Sequence, residues 1–218
     1  MTITFPREIP SELKIVGMSF MLEPTIELAP LRSGKIISKD LGPSLWKAKY
    51  ESPPLDETSF GIVRAWYASL LSTNEFYGYD FLREFPLAYV NGWDVSPFDG
   101  TCRLAGVPSA SRITLTDLPV GFILTVGDFI AFDYGPTSSP TVDESRALHI
   151  VTEGGVASGS PSDVTLSVSP HIRDDWQVGE TVHLFRAAAK MVILPGTYQE
   201  TIDVERMGKI SFEAIQTL

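Results

Sequence analysis

Hydrophobic and polar positions alternate over short stretches through most of the chain, and the period is two rather than 3.6. Residues 45–51 show it most plainly. Leu45, Lys47, Lys49 and Glu51 point one way and Trp46, Ala48 and Tyr50 the other, as in a strand with one wet face. Earlier strands are expected over 14–22, ending at Glu23-Pro24, over 25–29, closed by Pro30, and over 35–38 after the turn signal Ser33-Gly34. One segment changes period. Beyond Pro53-Pro54, the apolar residues Phe60, Val63, Tyr67, Leu70 and Leu71 follow helical spacing, Trp66 widens the stripe, and Asp56 is placed to cap the helix with Glu57 in its first turn. Residues 75–90 are dense in aromatics and read as strand or extended chain.

A short pattern then occurs twice, as Val126-Gly127-Asp128 before Phe129-Ile130-Ala131-Phe132 and as Val178-Gly179-Glu180 before Thr181-Val182-His183-Leu184-Phe185. Each copy predicts a turn made by the glycine and acid, feeding a β-prone run. Strands are also expected at 111–116, 146–152 and 164–168, with the Gly/Ser/Pro-rich 154–162 as a loop. This stretch is expected to form a small β-barrel or sandwich of its own. Turn clusters at 91–94 and 96–100 mark its entry, and residues 186–189 its exit. Beyond it, 190–194, 199–204 and 209–216 read as strands, with Pro195-Gly196-Thr197 as a turn. A C-terminus made of strand needs a partner, and the N-terminal sheet is the simplest one. The expected organisation is mainly β. Residues 1–92 and 189–218 form a discontinuous β-sandwich with one helix, and residues 93–188 form an inserted small barrel.

Composition narrows the chemistry. The chain is 44% hydrophobic, so it is not disordered, and it contains no apolar run of the ~20 residues a membrane span needs. No secretion or transit signal is visible at the start, which predicts folding in the cytoplasm. With 27 acidic against 17 basic residues the formal charge is −10, which disfavours stable binding to nucleic acid. Cys102 is the single cysteine, so an intrachain disulfide and a cysteine-based zinc site are excluded, and a buried hydrophobic role is expected for it.

No nucleotide-binding loop and no Gly-x-Ser-x-Gly elbow occurs. His149, His171 and His183 lack the close spacing of a metal site, and no metal, cofactor or catalytic residue is assigned. Asp143-Glu144 and Asp174-Asp175 have the composition of an acid/base pair, but each lies beside an arginine, Arg146 or Arg173, and reads as solvated loop charge. Trp46, Trp66, Trp93 and Trp176 are scattered among four elements.

The strands over 14–51 ending at Trp46-Lys47-Ala48-Lys49-Tyr50, the helix over 56–71, and the returning segment from Met191-Val192-Ile193-Leu194-Pro195-Gly196 through Ile210-Ser211-Phe212-Glu213-Ala214 together resemble the distal tail proteins of long-tailed bacteriophages and phage-like gene transfer agents. The discontinuous part looks like that family's ring-forming, or belt, domain. The insert is similar to the oligonucleotide/oligosaccharide-binding (OB-like) barrel that some members carry. The resemblance implies a virion structural protein at the tail tip, assembled in the host cytoplasm. Its partners would be further copies of itself in a hexameric ring, the tail tube protein above, and the baseplate or tail-tip hub protein below, with tail fibres as a further partner of the barrel. The ring's lumen would pass DNA, which an acidic wall repels. Trp46, Phe60, Val63 and Trp66 are the candidate packing or subunit-interface anchors. The rival from another class is a carbohydrate-binding module recognising the host surface, with a loop-built site from Trp93, Asp174, Asp175 and Trp176. A β-rich hydrolase using Asp174, Asp175 or a histidine is a weaker rival, because no nucleophile, base and orienting group can be named together.

Overall fold

The structure, a computed structural model, describes residues 3–70, 73–93, 98–134, 145–159, 162–203 and 206–217. The protein is mainly β, with one α-helix among the described residues. In chain order the strands are β1 (Arg7–Glu8), β2 (Gly17–Pro30), β3 (Ile36–Glu51), then the helix α1 (Glu57–Leu70) and β4 (Phe76–Tyr79). Two 3-10 turns, Phe81–Arg83 and Leu87–Tyr89, lead to β5 (Thr101–Ser109), β6 (Arg112–Thr116), β7 (Ile123–Leu124), β8 (Phe129–Tyr134) and β9 (Ser145–Glu153). The chain continues through β10 (Gly155–Val156), β11 (Val164–Ser169), β12 (Thr181–His183), β13 (Ala188–Ile193), β14 (Gln199–Ile202) and β15 (Gly208–Gln216). Two compact units result. Met1–Ile9 and Glu75–Met191 make the first; Pro10–Asn74 and Val192–Thr217 make the second. Residues 3–9, 75–92 and 189–191, which the sequence reading assigns to the ring-forming domain, thus group with the barrel strands.

In the second unit β14, β15, β3 and β2 are neighbours in that order, all antiparallel. Strict alternation along β15 buries Gly208, Ile210, Phe212, Ala214 and Gln216 on one face, and β3 adds Trp46, Ala48 and Tyr50 to it. Helix α1 covers this face with Phe60, Val63, Trp66 and Leu70, the stripe that the helical spacing predicts. Its first turn is capped as expected: the Asp56 carboxylate accepts from the Thr58 and Ser59 amides and from the Ser59 hydroxyl. Those bonds hold the Asp56 carboxyl below the usual carboxylate range. Gly208 permits the closest approach, since a Cβ there would overlap the Phe60 ring. Leu71 lies outside the described residues.

The strand boundaries in this unit depart from expectation. Three strands over 14–38 and a fourth over 45–51 are in fact two long ones, β2 and β3, paired from Gly17↔Glu51 to Pro30↔Ile36. Pro24 does not end β2, because the ladder shifts register between Glu23 and Thr25 and leaves the proline, which has no N–H to offer, unpaired.

In the first unit β11, β6, β5, β12, β8 and β9 close into a barrel. Leu104, Ile113, Leu115, Ile130, Leu166 and Val182 are fully buried in its core. Strand β5 is absent from the sequence reading, whose first strand of the 93–188 barrel is 111–116; Gly106 and Pro108 obscure its alternation, and the β5–β6 ladder shifts register at Gly106. The 154–162 loop contains β10, paired with β7. The two Val-Gly-acid copies build the same turn. Gly127 and Gly179 have φ of +92° and +93°, and the following acid donates its amide to the carbonyl three residues back, Thr125 or Gln177. The strands that they launch, β8 and β12, are neighbours in the barrel. Beside the barrel residues, β1, β4 and the first part of β13 form a ribbon, with Glu8 and Lys190 flanking Tyr77 in register.

His149 is the barrel's one buried histidine among the described residues. It lies opposite Ile130, stacks on Phe132 at 5.5 Å, and donates Nδ1–H to the Pro170 carbonyl at 2.9 Å, while its buried Nε2 has no partner. Burial depresses its pKa to about 4. The unfolded chain therefore takes up this proton first, and stability should fall as pH drops from about 6.5 toward 4, by up to about 3 kcal/mol. Urea midpoints at pH 7, 5.5 and 4.5 check this. His149→Asn keeps a donor for Pro170 and should remove that share of the slope; an identical slope in the variant would refute the assignment.

Candidate interaction surfaces

In the second unit β15 pairs with β3 only between Lys47 and Glu51. Beyond Leu22 and Trp46 the β2–β3 pair continues alone as a two-stranded arm, from the Thr25↔Gly42 pair to the turn at 31–35. The turn is closed by Leu31 N–H to the Lys35 carbonyl at 2.8 Å, with Gly34 at φ +80°. At the arm's root the Thr25 hydroxyl donates to the Pro43 carbonyl. Register fixes which side chains share a face: Ile26 and Leu28 lie with Pro30 and its partner Ile36, and Ala29 and Ile37 lie on the other side with the Glu27–Lys39 pair. All of these are exposed, Ile26 by 46%, Leu28 by 56%, Ile36 by 62% and Ile37 by 49%. An isolated two-stranded ribbon is marginal in water, and covering the exposed half of each isoleucine or leucine is worth about 1 kcal/mol. The arm therefore carries apolar surface that the single chain does not use.

At the arm's root the outer sheet face forms an open groove lined by Met21, Glu23, Lys47, Lys49 and Glu213 among others. Lys47 bridges Glu23 at 3.8 Å and Glu213 at 4.0 Å, and Lys49 meets Glu51 at 2.6 Å. Such exposed pairs add little stability, but they line this face with charged groups, two lysines and three glutamates.

The sequence-derived anchors are elsewhere. Trp46, Phe60, Val63 and Trp66 are at most 8% exposed and are spent on the second unit's own core. Trp46 stacks on Phe20 at 5.3 Å and donates its amide to Gln216, and Trp66 meets Phe212 at 5.8 Å.

The first unit carries the densest charged cluster. Arg146 on β9 and Asp133 on β8 are direct register partners, joined by two hydrogen bonds of 2.7 and 2.8 Å. Arg146 Nη2 also lies 3.3 Å from His183 Nε2, and the guanidinium sits 4.4 Å over the Tyr77 ring. Burial raises the Asp133 pKa, but the bonds and charge of Arg146 outweigh it and hold the carboxyl below its usual range. His183 is lowered, first by burial and then by the Arg146 charge. The sequence reading pairs Arg146 with Asp143-Glu144, which lie outside the described residues; its carboxylate partner in the structure is Asp133. Arg173 likewise donates to the Tyr134 hydroxyl at 3.0 Å rather than to the aspartates beside it. Nearby, Arg186 donates to Glu84 and lies over the Tyr79 and Phe185 rings.

The residues of the carbohydrate reading take different environments. Trp93 is half-buried in an aromatic cluster, 5.4 Å from Phe85, 5.5 Å from Tyr89, 5.0 Å from Phe98 and 5.5 Å from Phe122, and a Cβ on Gly100 would press into its ring. Trp176 packs half-buried against the barrel core, and no ring contact joins it to that cluster among the described residues. Asp174 and Asp175 are exposed, the latter at φ +74°. His171 is exposed, and no group of three or more His, Cys, Asp or Glu side chains is arranged to hold a metal among the described residues. Cys102 is buried, and burial, with the Asp117 charge, pushes its thiol up to about 12, so it is held protonated.

Among the described residues no helix is long and apolar enough to cross a membrane. No protein-family model and no curated protein matches the chain.

Proposed function

We propose that this protein is a ring-forming structural component of a phage-type tail, the distal ring that joins the tail tube to the baseplate or tail-tip hub around a lumen for DNA. The observation that carries the reading is the β2–β3 arm, the eighteen residues from Thr25 to Gly42, whose isoleucine and leucine side chains are left about half in water by their own chain. A second copy offers such cover, and cyclic symmetry limits the resulting contact to a closed ring. The resemblance stated above makes that ring a hexamer, with the second unit in the belt role and the first unit's barrel in the OB-like role. The barrel is then a spacer, a fibre-docking surface or a weak glycan contact rather than a nucleic-acid site, in keeping with the −10 charge of the chain.

Light scattering with negative-stain imaging of the purified protein tests this, with and without a tail tube protein as template. Closed rings with a central hole are expected. The triple variant Ile26→Glu, Leu28→Glu, Ile36→Glu should stay monomeric and folded, because these side chains lie outside the buried core of the second unit. A wild-type protein that is monomeric under both conditions, or a triple variant that still closes rings, would sink the proposal.

A further inference from the structure

The charged cluster of the first unit contains an imidazole, His183, within hydrogen-bond distance of its central guanidinium. Arg146 connects three barrel strands with the β1–β4–β13 ribbon: it is bonded to Asp133 of β8 and to His183 of β12, and it lies over Tyr77 of β4. The ribbon presents Glu8 and Lys190 on either side of Tyr77 in register. The charges of Arg146 and Arg186 reach Glu8, and that of Lys190 reaches Asp133. His183 is faced by Arg146 from β9, by Asp133 from β8 and by Asp99, which precedes β5.

A neutral imidazole can accept a hydrogen bond from Nη2 of Arg146 through Nε2, and 3.3 Å suits that bond. Protonation removes the lone pair and sets a second cation against the guanidinium. Both cations then compete for Asp133, whose two oxygens Arg146 already occupies. We propose that His183 is a proton-operated release for Arg146: once protonated, it draws Asp133 away from the guanidinium and loosens the hold of Arg146 on the Tyr77 ribbon.

The sign follows from the surroundings. Burial and Arg146 lower the His183 pKa in the closed arrangement, so an opened arrangement binds the proton better, and closure weakens as pH falls below about 6.5. Glu8 works in the opposite sense. Burial raises its pKa despite both arginines, so the closed state gains from its protonation and tightens as pH falls.

Amide hydrogen exchange between pH 7.5 and 5.5, corrected for intrinsic rates, tests the device. The amides to follow are that of Arg7, which donates to the Glu75 carbonyl, and those of 76–79. Their opening should rise several-fold, and by no more than about tenfold, toward pH 5.5 in the wild type, while amides of β6 and β11 stay protected. His183→Asn retains an acceptor without a charge and should abolish the rise; Glu8→Gln should leave it in place. Imidazole nitrogen shifts from nuclear magnetic resonance should show His183 still neutral at pH 7.5 and titrating below the ordinary histidine range. A wild-type ribbon whose protection is flat over this range, or a rise that persists in His183→Asn, would overturn the proposal. Should His183→Asn expose the β6 and β11 amides as well, His183→Gln serves as the neutral variant under the same two outcomes.

Discussion

Asp128→Ala should destabilise the first unit by roughly 3–6 kcal/mol, a large part of what a small domain has in total. The carboxylate is 1% exposed and accepts three hydrogen bonds: from the Thr125 amide at 2.7 Å, the Thr125 hydroxyl at 3.1 Å and the Leu87 amide at 2.7 Å. Two of these close the turn that launches β8. The third reaches 41 residues back in sequence and fastens the 3-10 turn over Leu87–Tyr89, whose Tyr89 hydroxyl in turn accepts from the Ile123 amide. Alanine leaves all three donors without the charged acceptor, and a buried donor without a partner costs about 1–3 kcal/mol. Asp128→Asn keeps one acceptor oxygen and should lose less. Glu180→Ala at the second copy of the same motif should cost less again, because Glu180 is only half-buried. Urea unfolding followed by tryptophan fluorescence ranks the three variants. A loss below about 1 kcal/mol for Asp128→Ala would show that the turn is held by the glycine geometry alone.

That comparison marks how far the chain is readable. The Val-Gly-acid repeat is a local signal, and local signals survive: both turns, both strands behind them, the Asp56 cap and the α1 stripe are where the pattern places them. The different fates of Asp128 and Glu180 are not local, since only the fold brings the Leu87 amide to one of them. Prolines mislead for a related reason. Pro24 and Pro30 punctuate a sequence, yet β2 runs through the first and up to the second as an outer strand, where a missing N–H does little harm. The arm was therefore legible as its pieces, 25–29 and 35–38 around Ser33-Gly34, but not as one hairpin extending past the sheet. Side-chain partnership was least legible of all. Arg146 has neighbouring acids in sequence and a different one, Asp133, across the ladder, and register is a three-dimensional property.

The second large effect separates stability from assembly. Phe212→Ala should cost the second unit about 3–5 kcal/mol. Phe212 is 1% exposed at the centre of β15, opposite Tyr50 in register, with ring centroids 5.4 Å apart, and Trp66 of α1 lies over it at 5.8 Å. The ring joins sheet to helix, so its removal leaves a cavity that neither the strand nor the helix can close without losing its other contacts. Leu28→Ala on the arm removes an aliphatic side chain of similar hydrophobic worth, yet it should shift the single chain's stability by less than about 0.5 kcal/mol, because 56% of that residue is already in water. Chemical denaturation at a concentration low enough to keep the protein monomeric compares the two directly. Equal losses would mean that the arm is packed in the free chain and unavailable to a second copy, and the ring proposal would lose its carrying observation. A large loss for Phe212 with none for Leu28, followed by weaker self-association of Leu28→Ala at high concentration, would divide the apolar residues of this unit into those that fold the chain and those that join it to another.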